Sequence, residues 1–81
     1  VFDKAEQFLK KAILLPSSAQ KRSNYWFNLG VLQSTRLRLS KACHCFIRAI
    51  QLNEQNAKAW YALSLVYKKS GKVDLTFIGN I

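Results

Sequence analysis

The chain is short of the residues that catalytic and metal sites require. Its 81 residues include one histidine, two cysteines, four acidic residues, three glycines, one proline and no methionine. A zinc site needs three or four protein ligands, and acid–base catalysis needs two or more suitable groups held close together. Three scattered glycines cannot form a Gly-rich phosphate-binding loop. We therefore expect no enzyme activity, no cofactor and no metal.

Long apolar runs are also lacking, and none approaches the roughly 18 residues that a bilayer-spanning helix needs. Cys43 and Cys45 point about 200° apart if their segment is helical, so they cannot form a disulfide with each other. Two thiols without a disulfide partner are typical of a reducing compartment. We expect a soluble intracellular protein, cytoplasmic rather than nuclear.

Acidic residues are few relative to basic ones. Thirteen lysines and arginines stand against four aspartates and glutamates, which gives a formal net charge of +9. Such an excess indicates an anionic partner, either an acidic protein surface or a nucleic acid.

What the sequence does contain is an internal repeat. Residues 25–32 align with residues 59–66, and Trp26 and Trp60 lie 34 positions apart in that alignment. Residues 5–15 align with residues 42–52 at a spacing of 37 positions, and the three extra residues fall in the linker 16–22. The chain therefore alternates two kinds of segment, and each carries apolar residues at the three- and four-residue spacing of an amphipathic helix.

The pattern predicts an all-α fold of about four helices. The first helix ends at Pro16, and the second begins with a cap at Ser23 or Asn24. A cap at Ser40 is expected to start the third helix, and a cap at Asn56 the fourth. The fourth helix is expected to stop at Gly71. No stretch alternates with period two for long enough to form a sheet.

These segments resemble the tetratricopeptide repeat, a 34-residue helix pair with Trp, Leu and Gly in its first helix and Ala-x3-Phe in its second. Residues 23–56 are similar to one complete unit, 57–71 to the first helix of the next, and 3–15 to the closing helix of a previous one. Residues 73–81 depart from the pattern and are expected to form an irregular or truncated tail. Gln33 replaces the usual aromatic residue. The resemblance implies a repeat core of Trp26, Leu29, Gly30, Ala42, Phe46, Ala49, Trp60, Leu63 and Tyr67, with both Trp rings buried.

The resemblance implies antiparallel helix pairs stacked in a right-handed α-solenoid, within a longer chain or a multi-protein complex. It also implies a non-catalytic scaffold that binds another protein or peptide, here one of acidic character, in a concave groove. The groove residues it implies are Asn24, Phe27, Asn28, Val31, Ser34, Thr35, Lys58, Tyr61, Leu65, Lys68 and Lys69.

An alternative function follows from the basic residues beside the turns of such an array. Stacked along one edge, they would form a ridge for an anionic partner, including RNA contacted directly or within an RNA-decay assembly. A solvated rim is the simpler interpretation of the same residues. The ridge residues are Arg36, Arg38, Lys41, Lys68, Lys69 and Lys72.

The triplet Cys43-His44-Cys45 is the feature that most resembles a chemical site. Its partners four residues ahead on a helix are Ile47, Arg48 and Ala49, none of which binds a metal. The equivalent positions of the earlier helix also lack the triplet. We therefore expect Cys43 to pack between helices, Cys45 to be partly buried and His44 to face solvent.

Overall fold

A computed structural model of the protein describes residues 2–70, which form four α-helices joined by short turns. The helices are α1 (Phe2–Leu14), α2 (Ala19–Thr35), α3 (Leu39–Leu52) and α4 (Ala57–Ser70). No strand occurs within the described range. The prediction of an all-α fold with about four helices is confirmed. The expected stop at Gly71, the ridge residue Lys72 and the tail at 73–81 lie outside the described residues.

The helix starts agree only in part with the predicted caps. α4 begins as expected, because Asn56 Oδ1 accepts a hydrogen bond from the Ala59 N–H at 3.1 Å. α2 begins five residues before Asn24, because Ser18 Oγ accepts from the Lys21 N–H at 3.2 Å and serves as the N-cap. The prediction of a cap at Ser23 or Asn24 was wrong.

Ser23 instead joins three helices from within α2. Its hydroxyl is fully buried and donates to the Ala49 carbonyl of α3 at 2.7 Å. The same oxygen accepts a hydrogen bond from Asn56 Nδ2 at the start of α4, at 3.0 Å. A buried hydroxyl with both a donor and an acceptor partner avoids the desolvation cost that an unpaired one would carry.

The α2–α3 turn brings the two helices tightly together. The Arg38 N–H donates to the Gln33 carbonyl at 2.9 Å and the Leu37 N–H to the Ser34 carbonyl at 3.0 Å, which is the Schellman arrangement. Leu37 occupies the left-handed position of this motif, with φ of 59°. Ser40 lies inside α3, which starts at Leu39 after Arg38 without a side-chain cap, so the predicted cap at Ser40 was wrong.

The centre of the core is the contact between Gly30 of α2 and the ring of Phe46 of α3. A Cβ atom added to Gly30 would lie 2.5 Å from the nearest carbon of that ring. Phe46 is 1% exposed, and Ala42 and Ala49 on the same face of α3 are fully buried. Small residues on both sides therefore let the two helix backbones approach closely around one aromatic ring.

α1 and α4 pack on the α2–α3 pair, α1 against α2 and α4 mainly against α3. α4 packs on α3 through Leu63 and Val66, while among the described helices α1 contacts α2 alone. Trp26 is half-buried, but Trp60 is 39% exposed, so the expectation that both rings are buried was wrong for Trp60. α3 covers Trp26, and the described residues contain no helix after α4 that could cover Trp60 in the same way.

Candidate interaction surfaces

α2 and α4 lie side by side on α3 and leave a shallow groove between them, here called the α2–α4 groove. It encloses about 170 Å³. Val31, Ser34 and Thr35 come from α2 at the spacing of one helix face. Its remaining lining residues are Ala62, Leu65, Val66 and Lys69 from α4, and Phe46 from the core.

Five of the residues expected in a groove line this cavity together. They are Val31, Ser34, Thr35, Leu65 and Lys69. Five others are exposed on α2 or α4 without lining it, namely Asn24, Asn28, Lys58, Tyr61 and Lys68. Phe27 is half-buried and packs against the ring of Phe46, with ring centroids 5.8 Å apart, so it belongs to the core.

The charge around the groove has one sign. α2, α3 and α4 contain no Asp or Glu, and the acidic residues among residues 2–70 are Asp3, Glu6 and Glu54. Lys68 and Lys69 are exposed in the last turn of α4. The groove therefore combines an apolar floor with a basic rim at one end.

The acidic residues of α1 form ion pairs with two residues of the predicted basic ridge, near the α2–α3 turn. Arg36 Nη1 lies 3.2 Å from Glu6 Oε1 and 3.5 Å from Asp3 Oδ1, and Arg38 Nη1 lies 3.6 Å from Glu6 Oε1. Lys10 approaches the other Glu6 oxygen at 2.9 Å. Two of the ridge residues are thus already paired within the chain.

Glu6 is the centre of this arrangement, here called the Glu6 cluster (Glu6, Lys10, Gln33, Arg36 and Arg38). Gln33 Nε2 donates to Glu6 Oε1 at 3.1 Å. The hydrogen bond from Lys10 lowers the pKa of Glu6, with further lowering by Gln33 and by the charges of Lys10 and Arg38, while partial burial opposes the shift. The cluster therefore ties α1 to α2 through a carboxylate that stays ionised.

Sequence reasoning missed the Glu6 cluster. Glu6 and Lys10 lie one turn apart on α1, but the other members come from the end of α2 and the turn after it, about 30 residues away, and no helix periodicity relates the two groups. Gln33 was the available indication. A glutamine that replaces a buried aromatic residue needs a polar partner, and the structure places it 3% exposed beside Glu6.

The cysteine triplet lies within α3 and gathers no further ligands. No group of three or more His, Cys, Asp or Glu residues suited to a metal occurs between residues 2 and 70. Cys45 is 4% exposed, and burial raises the pKa of its thiol to about 11. Cys43 is half-buried and His44 exposed. Cys43 packs against the core as expected, whereas Cys45 is buried more deeply than the partial burial that was expected.

His44 contacts the edge of Trp26, with ring centroids 5.8 Å apart, and the guanidinium of Arg48 lies 5.7 Å from the Trp26 ring. The ring is thus bordered by side chains of α3 that carry or can carry positive charge.

The four helices were also compared with the requirements of a membrane span. No helix within residues 2–70 combines the length and apolarity needed to cross a membrane.

Comparison with known proteins finds sequence similarity to a tetratricopeptide-repeat protein. No protein-family model matches the chain, and no solved structure matches it. The chain is 28% identical over 78 residues to "Tetratricopeptide repeat protein 37" of Xenopus laevis. That alignment covers 94% of this chain but 5% of the relative's length. The chain is therefore similar in sequence to a small part of one tetratricopeptide-repeat protein.

Proposed function

We propose that this chain is part of a tetratricopeptide-repeat scaffold without catalytic activity, and that its α2–α4 groove binds an acidic segment of a partner protein. The observation that carries the proposal is the groove itself. Residues from corresponding helices of two repeats, α2 and α4, line one cavity with an apolar floor. Extended and helical peptides bind in grooves of this kind, which supply apolar contacts and a few charged contacts.

The charge distribution supports an acidic partner. Because three consecutive helices contain no acidic residue, no carboxylate of the described chain neutralises Lys68 or Lys69 by an ion pair. Unpaired surface lysines accelerate the association of an acidic partner and set its orientation more than they add affinity. Tyr61, 67% exposed on α4, offers an aromatic contact about two turns before these lysines.

The RNA alternative has less support. Arg36 and Arg38 already pair with Glu6, so phosphate contacts by these residues would have to compete with an intramolecular carboxylate. The half-exposed Trp60 ring is the feature that favours RNA, because bases stack on accessible aromatic side chains. Its indole N–H donates to the Glu54 carbonyl at 2.9 Å, which holds the ring against the turn before α4.

A narrower assignment also follows from sequence resemblance. Residues 24–26, 29–31 and 44–60 resemble the long scaffold subunit of the superkiller complex of cytoplasmic RNA decay. The comparisons with known proteins do not support this assignment, and the proposed function does not depend on it.

The test is affinity purification of the protein that contains this chain, with nuclease treatment of the extract. We expect protein partners to remain bound after the nuclease. We expect the groove variant Val31→Glu/Leu65→Glu to lose them, because both residues line the groove, are about 40% exposed and tolerate a polar replacement. A more exposed apolar residue outside the groove, Leu15, supplies the control variant Leu15→Glu.

Recovery of partners that all disappear after nuclease treatment would contradict the scaffold function and favour RNA binding. Equal loss of partners from the groove variant and from Leu15→Glu would contradict the assignment of the groove. Circular dichroism of both variants establishes that the helices remain folded.

A further inference from the structure

We propose that the chain has a second interaction site, a cleft between α1 and α3 that receives a bulky apolar side chain from an acidic peptide segment of a partner. The cleft encloses about 540 Å³, roughly three times the volume of the α2–α4 groove. Volumes of this size are typical of binding sites. The inference is separate from the proposed function because the two cavities share no lining residue.

The cleft exists because α1 and α3 both pack on α2 while their backbones stay apart. No Cα atom of α1 lies within 8 Å of a Cα atom of α3. The floor is formed by Trp26, Leu29 and Gln33, which share one face of α2. The groove uses a different face of α2, about 150° around the helix axis. The cleft and the groove therefore open on different sides of the molecule.

The α1 wall of the cleft is apolar and is formed by Ile13 and Leu14. The α3 wall is mixed, because Cys45 lies there beside the polar side chains of Ser40 and His44. Leu14 is 84% exposed, which leaves a large aliphatic side chain in water beside a cavity that it lines. A side chain inserted between the helices would remove this surface from water and contribute roughly 25 cal/mol for each Å² buried.

The rim of the cleft is basic on both sides. Lys10 borders it from α1 and Lys41 from α3, and no acidic residue lines it. Lys10 pairs with Glu6, but Lys41 is exposed and forms no ion pair among residues 2–70. Arg48 extends the basic edge over the Trp26 ring. Carboxylates on either side of an inserted apolar residue would meet this rim, which is why the occupant is acidic.

The anchor that suits this floor is a tyrosine. Its ring supplies apolar bulk for contact with Trp26 and Leu29, and its O–H can remain in water at the open edge of the cleft. Gln33 Oε1 is buried without a hydrogen-bond partner among the described residues, but it is closed off from solvent and supplies no contact to the occupant.

A peptide fits the shape better than a small molecule does. A small ligand gains affinity when a pocket covers most of its surface, whereas this cleft stays open along the gap between two helices. A peptide gains instead from one anchored side chain and from charged contacts along an open rim.

The probe is a fluorescein-labelled peptide of about 12 residues with a central Tyr flanked on each side by two Glu, titrated with the 81-residue chain and followed by fluorescence anisotropy. We expect saturable binding that weakens about tenfold when the four Glu are replaced by Gln. We expect Lys41→Glu to weaken it about tenfold and Leu14→Ser several-fold.

Matched controls are available for both changes. Lys21 occupies the same third position of its helix as Lys41 and is exposed, but it lines neither cavity, so Lys21→Glu is expected to retain binding. Leu15→Ser controls for Leu14→Ser in the same way, since Leu15 is exposed next to Leu14 and outside the cleft.

Several outcomes would overturn the inference: no binding of the probe, equal effects in the control variants, or no effect of Lys41→Glu and Leu14→Ser. If the groove variant Val31→Glu/Leu65→Glu alone abolishes binding of the probe, the peptide occupies the groove, which contradicts the second site while leaving the proposed function intact. Retention of binding by that variant, with loss in Lys41→Glu, establishes a site independent of the groove.

Discussion

The two interfaces of α2 are built on different physical principles. On one face, α3 is held by close apolar packing in which Gly30 and Phe46 meet without room for a methyl group. On another, α1 is held in part by the Glu6 cluster, in which a carboxylate is shared by three cationic side chains. The first interface depends on shape and volume, and the second depends on charge. Each should therefore respond to different substitutions and solution conditions.

The largest expected effect is the loss of the aromatic ring from the α2–α3 interface. Phe46→Ala should lower the free energy of unfolding by about 3–5 kcal/mol, since Phe46 is 1% exposed and the surrounding helices cannot close the cavity. The total stability of a chain of this length is expected to be a few kcal/mol, so a loss of this size would leave most of the molecules unfolded. Urea denaturation followed by circular dichroism measures it.

Phe8→Ala is the control for this prediction, because Phe8 lies on α1 and is 68% exposed. Its effect should stay within about 0.5 kcal/mol. Equal unfolding midpoints for Phe46→Ala and the unmodified chain would show that the α2–α3 interface does not depend on this ring.

A smaller effect is expected from adding a methyl group at the same contact. Alanine is favoured over glycine inside a helix by about 1 kcal/mol, so Gly30→Ala would stabilise an uncrowded helix. Here the new Cβ would lie 2.5–2.9 Å from three carbons of the Phe46 ring, and the overpacking should reverse the sign to a net loss of about 1–3 kcal/mol.

The cause of that loss can be isolated with a double-mutant cycle measured by urea denaturation. Phe46→Leu removes the crowded ring atoms, so Gly30→Ala should cost less in that background than in the unmodified chain. Strict additivity of the two substitutions would argue against a clash at this position.

The smallest effect is expected at the α1–α2 interface. Glu6→Gln should lower stability by roughly 1 kcal/mol, because its ion pairs are only partly shielded from solvent. The pKa of Glu6 is lower in the folded chain than its ordinary value of 4.5, so the unfolded state binds the proton more tightly. The stabilisation by Glu6 is fully present above that ordinary value and is lost as the pH falls through the lowered pKa.

The measurement is the difference in urea midpoint between the unmodified chain and Glu6→Gln as the pH falls from neutrality into this acidic range. The difference should shrink with acidification. Glu54→Gln is the control, since Glu54 is exposed and forms no ion pair among residues 2–70. A difference that is independent of pH would contradict the role of the Glu6 carboxylate.

The same contrast explains which parts of the structure could be predicted from the sequence. The α2–α3 contact could be predicted because its small residues and its aromatic ring recur at helix spacing, as in Ala42 and Phe46. The start of α2 could not be predicted from the sequence, because Ser18 and Ser23 are both good N-cap residues. Only the tertiary contact from Ser23 to the Ala49 carbonyl decides between them.

Of the two candidate sites, residues of the α2–α4 groove could be predicted from the sequence, but the cleft between α1 and α3 could not. Val31 and Leu65 could be assigned to a common groove because they occupy equivalent positions of repeated helices. The cleft between α1 and α3 depends on how far apart two helices sit on a third, which no periodicity encodes. Its most informative residue is Gln33, whose departure from the repeat pattern was visible but whose partner on α1 was not.

The order in which the helices touch also has a kinetic consequence. α1 contacts only α2 among the described helices, and the remaining contacts join α2 to α3, α3 to α4 and, more weakly, α2 to α4. Contacts between neighbours in sequence close short loops, and chains dominated by them fold in microseconds to milliseconds. We expect folding to begin in the α2–α3 hairpin, which has the most extensive of these contacts. Because α1 does not approach α3 or α4, we expect α1 to open transiently while the α2–α3 hairpin remains folded.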